Sequence, residues 1–240
     1  SKEEFFKACR AASILGTLQA GYTDFKFLGD TSKKIFDREA LIGASITGWM
    51  NNPDVLFDAE VLEEGARIVK EVNREVAEAI GINPAARTTC VKPSGNASVL
   101  LQTGSGIHAE HSEMYIRNVQ MTKDSEVTAA IKASNPFMVE DSVWSATGSD
   151  VVVSFPILPK EGSIFKDELL GVDHLEKVKL AQKHWVEAGT NVELCADEGV
   201  RHNVSNTIIV DDWDQVEKYV FENRNSFAGI SFLPMTGDKD

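Results

Sequence analysis

RTTCVKPSGNASVLLQ, residues 87–102, sets a β-prone run, a proline–glycine turn and an apolar helical run in direct succession. RTTCV reads as a strand that runs to Lys92. Pro93 cannot donate to a strand ladder and ends it. Gly95 permits a backbone shape that other residues resist and lets a ligand come close. Asn96 is a favoured N-cap, and ASVLLQ continues helically. The first turn of a helix offers unpaired N–H groups and a partial positive charge. Ser94, Asn96 and Ser98 add side-chain donors, and Lys92 adds a full charge. A strand–turn–helix of this form can hold an anion such as phosphate. Charge-assisted hydrogen bonds contribute roughly 1.5–3 kcal/mol each, so three or four can compete with phosphate hydration. The same form also serves a plain capped helix after a turn. It is not a Walker A loop, because the Gly-Lys-Ser/Thr ending is absent.

Outward from this stretch, strands and helices alternate. Helical spacing places a helix over 2–20, with Phe5, Phe6, Cys9, Ala12, Leu15 and Leu18 as its apolar positions. A β-prone stretch covers 40–47. A long helix runs from Asp58 to Ile80, with Gly81 as its C′ residue. The second helix signal, at 96–103, is followed by the glycine-rich link TGSGIH. A strand follows at 114–121, then a helix near 124–134, and residues 135–150 read as a loop. VVVSFPI at 151–157 is a buried strand candidate. A helix at 173–187, a strand at 204–210, a helix at 212–223 opening at Asp211 or Asp212, and a strand at 230–233 complete the order. The alternation argues an α/β fold in a single domain, 1–240, with no repeat or linker.

The formal net charge of −13 argues against a DNA or RNA polymer as partner, which needs a basic footprint. A small anionic ligand remains compatible, since a few cations and backbone N–H groups reverse the field locally. No apolar run approaches a membrane span, and no membrane partner is expected. Cys9, Cys90 and Cys195 are dispersed and odd in number, which argues against a disulfide framework or zinc ribbon and points to a reducing cytoplasm. All three read as buried structural thiols. Both ends of the chain read as segment boundaries.

The longer stretch RTTCVKPSGNASVLLQTGSGIHAEHSEMYIRNVQM, residues 87–121, resembles the catalytic subunit of ribonucleotide reductase, above all the adenosylcobalamin-dependent (class II) ribonucleoside-triphosphate reductases. That family carries a Lys-Pro-Ser-Gly-Thr-type turn and then a Ser-Gly-Ile-His-Pro-type segment. REALIGASITGW at 38–49, RHNVSNTIIV at 201–210 and NRNSFAGISFLPMTGDKD at 223–240 follow the family in the same order. The resemblance implies the second half of a ten-stranded α/β barrel. It implies phosphate contact by Ser94, Gly95, Asn96, Ala97 and Ser98, a turn shaped by Pro93, and Lys92 and His108 near the substrate. Asn96 stands where the family has Thr, and Ala109 where it has Pro. The radical cysteine and the carboxylate of the family's Asn-Pro-Cys-Gly-Glu-type segment are absent here, so no catalytic residue is assigned. They are expected upstream, and the segment alone is expected not to turn over. The implied partners are a ribonucleoside triphosphate, the rest of the reductase chain and a thiol reductant such as thioredoxin; the implied cofactor is adenosylcobalamin. A reductase with another radical source and a diphosphate substrate, or a non-catalytic nucleotide-binding module, would also use such a turn.

Other candidates are weaker. His108 and His111 with Glu110 and Glu113 have loose metal-ligand spacing and read as loop residues, so no metal is assigned. Arg87, Arg117 and Lys123 flank strands; any of them could offset triphosphate charge, with solvated surface as the default. Trp49, Trp144, Trp185 and Trp213 read as core or interface residues.

Overall fold

The computed structural model describes residues 1–95 and 97–235. In chain order the elements are α1 (Lys2–Ala20), α2 (Asp30–Glu39), β1 (Ala44–Ser45), α3 (Pro53–Leu56), α4 (Ala59–Ile80), β2 (Thr89–Cys90), α5 (Ala97–Leu100), β3 (Tyr115–Thr122), α6 (Glu126–Ser134), β4 (Val139–Asp141), β5 (Asp150–Ile157), α7 (Gly171–Ala181), β6 (Ile208–Val210), α8 (Trp213–Glu222) and β7 (Phe232–Pro234).

The strands divide into two systems. β1 pairs parallel with β2, Ala44 opposite Thr89 and Ser45 opposite Cys90. Val91, one residue beyond β2, bridges in parallel to Val204, on the run that leads into β6. β6 then pairs parallel with β7, Ile208 opposite Phe232. Parallel neighbours need crossovers, and helices supply them. Between β2 and β6 the chain makes a separate antiparallel excursion. β5 is its central strand, paired with β3 from Tyr115↔Ile157 to Thr122↔Asp150 and with β4 at Val139↔Val153. The stretch 135–150, expected as loop, therefore contains a short strand. Its three residues are too few and too polar to stand out in sequence.

α1 packs on α4, and the buried stripe of α1 differs from the sequence expectation. Cys9, Ser13 and Thr17 are buried, whereas Leu15 and Leu18 are 68% and 46% exposed. Small residues win because the helices approach closely: a side chain at Gly65 of α4 would press on Phe5 and Cys9. Ser13 Oγ donates to the Val69 carbonyl at 2.8 Å. Asn73 Nδ2 donates to Thr17 Oγ1 at 2.9 Å, and its Oδ1 accepts Ala85 N–H at 2.8 Å. Asp58 caps α4 through the Glu60 and Val61 amides, and Gly81 closes it.

α7 runs on into a π-helical turn, Gln182–Glu187. There the Trp185 carbonyl accepts the Thr89 hydroxyl at 2.6 Å, while Trp185 Nε1 donates to the Cys90 carbonyl at 3.0 Å. Trp49 and Trp185 are fully buried; Trp144 and Trp213 are exposed. The core joins Val91, Val204, Ile208 and Val210 of the parallel strands to Leu175, Val178 and Val186 of the α7 segment. Among the described residues no helix is long and apolar enough to cross a membrane.

Candidate functional site

The turn at 92–95 leaves the C-terminal end of β2. Gly95 adopts φ +53°, and the space a Cβ would enter is open. Lys92, Pro93 and Gly95 are exposed, and Ser94 is half-buried. Asn96 lies outside the described residues. α5 is a single turn, shorter than the helix expected over 96–103. Gln102 at φ +53° stops it: Thr103 N–H returns to the Ser98 carbonyl at 3.0 Å, and Gln102 N–H to the Val99 carbonyl at 3.1 Å. These two bonds form a Schellman closure.

The motifs read separately in sequence lock together at this turn. Ser94 N–H donates to Ser105 Oγ of the SGIH loop at 3.1 Å. Gly106 sits at φ +57° against the Lys92 carbonyl, where a Cβ would press at 3.0 Å. Thr47, of the Thr-Gly ending the first parallel strand, lies at the centre. Its Oγ1 is 3.0 Å from Ser94 Oγ and 2.9 Å from the Gly104 carbonyl, and it accepts Gly106 N–H at 2.9 Å. Asn51 Oδ1 holds the same loop from behind, accepting Gly104 N–H at 2.7 Å and the Thr103 hydroxyl at 2.9 Å. Thr47 and Asn51 were not singled out as site residues from sequence. Only the Thr-Gly motif marked Thr47, and Asn51 has no local signal.

The four described residues of the turn, Ser94, Gly95, Ala97 and Ser98, face different surroundings. Ser94 and Gly95 border solvent. Ala97 N–H closes the turn onto the Ser94 carbonyl at 3.1 Å. Ser98 is fully buried; its hydroxyl donates to the Gly95 carbonyl at 2.8 Å and accepts from Arg117 Nη1 at 2.7 Å. Ser98 thus braces the turn from inside and ties it to a guanidinium on β3.

The three basic candidates separate. Arg87 is buried, paired with Glu39 at 3.0 Å and bonded to the Val200 and Asp197 carbonyls at 2.7 Å each. Lys123 pairs with Asp141 at 2.9 Å. Among the described residues, only Arg117 of the three is bonded to a residue of the turn.

His108 ends the SGIH loop and donates from Nδ1 to the Ser105 carbonyl at 3.0 Å, since a carbonyl can only accept. Its ring stands edge-on to His174 of α7, 6.3 Å away. His174 donates from Nε2 to the Ile107 carbonyl, and burial, with His108 nearby, pulls its pKa down to about 4. Glu110 is buried. Its carboxylate accepts from Asn51 Nδ2 and the Tyr115 hydroxyl, both at 2.7 Å. Burial, with Glu110 beside it, pushes Tyr115 up to about 12. His174 carried no sequence signal, because it sits mid-helix far along the chain. Cys9 and Cys90 are buried, and burial raises both thiols, Cys9 to about 12. Cys195 is only half-buried, a correction to the expectation for all three: its short loop before the bend at 197–200 lies at the molecule's rim.

No family model matches the sequence. The "Probable adenosylcobalamin-dependent ribonucleoside-triphosphate reductase" of Dictyostelium discoideum is 26% identical over 240 residues, covering 98% of this chain and 29% of that protein. The adenosylcobalamin-dependent ribonucleoside-triphosphate reductase of Euglena gracilis is 26% identical over 213 residues, covering 85% of this chain and 26% of that protein. A crystal structure of B12-dependent (class II) ribonucleotide reductase superposes with a TM-score of 0.65 at 18% identity, over 87% of this chain and 31% of that one. The expected resemblance holds in sequence, and the α/β fold is that of part of the class II enzyme. The chain spans under a third of the length of these relatives.

Proposed function

We propose that this chain is a single-domain segment of a ribonucleotide reductase catalytic subunit, the second half of its barrel, and that the turn at 92–98 holds the phosphates of a ribonucleoside triphosphate. The observation that carries this reading is the interlock of the Thr-Gly, KPSG and SGIH motifs at the end of a parallel strand: Thr47 and Ser105 fix Ser94, and Gly95 opens to solvent. Phosphate contact is assigned to Ser94, Gly95 and Ala97, braced by Ser98, and to Asn96 by its place in the motif. Preorganised backbone and hydroxyl donors hold a phosphate without reordering when it binds. Lys92 and His108 flank the same surface.

In the whole protein the reaction replaces the ribose 2′-OH by hydrogen. The hydroxyl leaves as water, and a dithiol, supplied by a reductant such as thioredoxin, is oxidised to a disulfide. Adenosylcobalamin supplies the initiating radical. The groups that converge at the turn are hydroxyls and amides, a donor set for phosphate rather than a corrinoid. This segment is therefore assigned no contact with the cofactor and no radical step. Its part is to position the substrate by its phosphates. Three free, dispersed cysteines fit a reducing cytoplasm.

The test is reductase activity of the full-length polypeptide with a ribonucleoside triphosphate, adenosylcobalamin and a dithiol. The expected product is the 2′-deoxyribonucleotide, dependent on all three. Deoxyribonucleotide formation without cobalamin would move the protein to another reductase class. No reduction under any radical source would leave a nucleotide-binding module.

A further inference from the structure

Beside the turn lies a cavity of about 190 Å³ lined by His108, His111, Tyr115, Arg117, Lys166 and Thr207, among others. That is far above the roughly 10–15 Å³ that one water needs. Its polar lining is cationic or hydrogen-bonding. Among the described residues neither Arg117 nor Lys166 forms an ion pair. The Arg117 guanidinium is half-buried and lies 5.9 Å from the Tyr115 ring centre. Tyr115 is itself anchored by its bond to Glu110. Among the described residues the Glu110 carboxylate makes no ion pair with the guanidinium; its two oxygens accept from Asn51 and Tyr115.

Arg117 has five donors in a planar fork. One of them reaches Ser98 of the turn, and the side chain also lines the cavity. The same guanidinium therefore joins two places: the turn, where a phosphate would sit, and a cavity with room for another. Lys166 enters from a different part of the chain, after Glu110 has bridged in parallel to Phe165. A cavity that gathers Arg, Lys and two loop histidines in a chain of net charge −13 is a local reversal of the field.

We infer that this cavity is a second anion subsite that takes the terminal phosphate of a nucleoside triphosphate, so that Arg117 and Lys166 set the preference for triphosphate over diphosphate. The inference rests on the turn as the site of the inner phosphates. Arg117 is a specificity residue; it braces Ser98 with one donor and offers the others to the ligand.

The test uses the full-length polypeptide with inorganic pyrophosphate and tripolyphosphate as probes. Affinity is read by calorimetry, and the turn is read by hydrogen exchange at Ser94 and Gly95. The unmodified protein should bind tripolyphosphate at least about tenfold more tightly than pyrophosphate, the ratio that one charge-assisted hydrogen bond supplies. Arg117→Gln should collapse that ratio, and Arg117→Lys should restore part of it. Lys166→Gln, which has no bond to the turn, should narrow the ratio while leaving pyrophosphate protection of Ser94 and Gly95 unchanged. An unchanged ratio in both Gln variants, or equal affinity for the two anions in the unmodified protein, overturns the inference. Pyrophosphate protection of the turn in that case leaves the turn assignment standing. Conversely, tripolyphosphate binding that both Gln variants weaken, with no protection of Ser94 and Gly95, keeps the cavity as an anion site and removes the turn.

Discussion

His174 shows how one side chain turns a structural role into a pH dependence. It is buried on α7 against the SGIH loop, and its Nε2–H is committed to the Ile107 carbonyl. Its folded pKa is about 4, against an ordinary value of 6.5, because burial penalises the charged ring. Above pH 6.5 the ring is neutral in both folded and unfolded chains and costs nothing. As pH falls from 6.5 to about 4, the unfolded chain takes up the proton and the folded chain does not. Stability is therefore lost across that window, by on the order of 3 kcal/mol at its lower end. His174→Gln keeps a donor for Ile107 and removes the titration. Urea midpoints from pH 7 to pH 4 should fall more steeply for the unmodified chain than for this variant.

The joint between α1 and α4 shows what an element gains from a buried polar group. Asn73 satisfies Thr17 with its amide nitrogen and Ala85 N–H with its carbonyl oxygen. It ties α1 to α4 and α4 to the segment that leads into β2. Asn73→Leu keeps similar bulk but leaves the Ala85 donor buried and unpaired. A group orphaned in this way costs roughly 1–3 kcal/mol, and denaturant unfolding should show a loss of that size. The π-helical turn after α7 works in a similar way from the other side. It brings the Trp185 carbonyl to Thr89, so β2 is gripped through its side chain as well as its backbone.

Arg87 acts across the whole molecule. From the start of the β2 run it pairs with Glu39 at the end of α2 and bonds two carbonyls of the 197–200 loop. Its partners lie 48 residues before it and up to 113 residues after it, so three parts of the chain meet on one guanidinium. Removing Arg87 leaves Glu39 with only the more exposed Arg38 as partner and takes the donor from the Val200 and Asp197 carbonyls, two charge-assisted hydrogen bonds of roughly 1.5–3 kcal/mol each. Arg87→Ala should destabilise the fold by about 3–5 kcal/mol, measured by thermal or denaturant unfolding, and should do so at every ionic strength, because a buried pair is little screened.

The sequence by itself determined the strand leading into the turn at 92–95, the extent of α1, α4 and α8, and the order of KPSG and SGIH, but not the length of α5. Each of these is written in local chemistry: proline and glycine set the turn, capping residues set the helix ends, and apolar periodicity sets the helices between. Tertiary structure alone decided the rest. Arg87, Arg117 and Lys123 are equivalent basic residues beside strands in sequence, yet one is a buried pin, one joins the turn to a cavity and one pairs at the surface. Ser13 and Thr17 displace Leu15 and Leu18 from the buried face of α1, because close helix contact favours small side chains over apolar ones. His174 and Lys166 reach the turn's neighbourhood from far along the chain. Local patterns fix what a segment is, whereas which side chains share a cavity depends on long-range packing that no single stretch encodes.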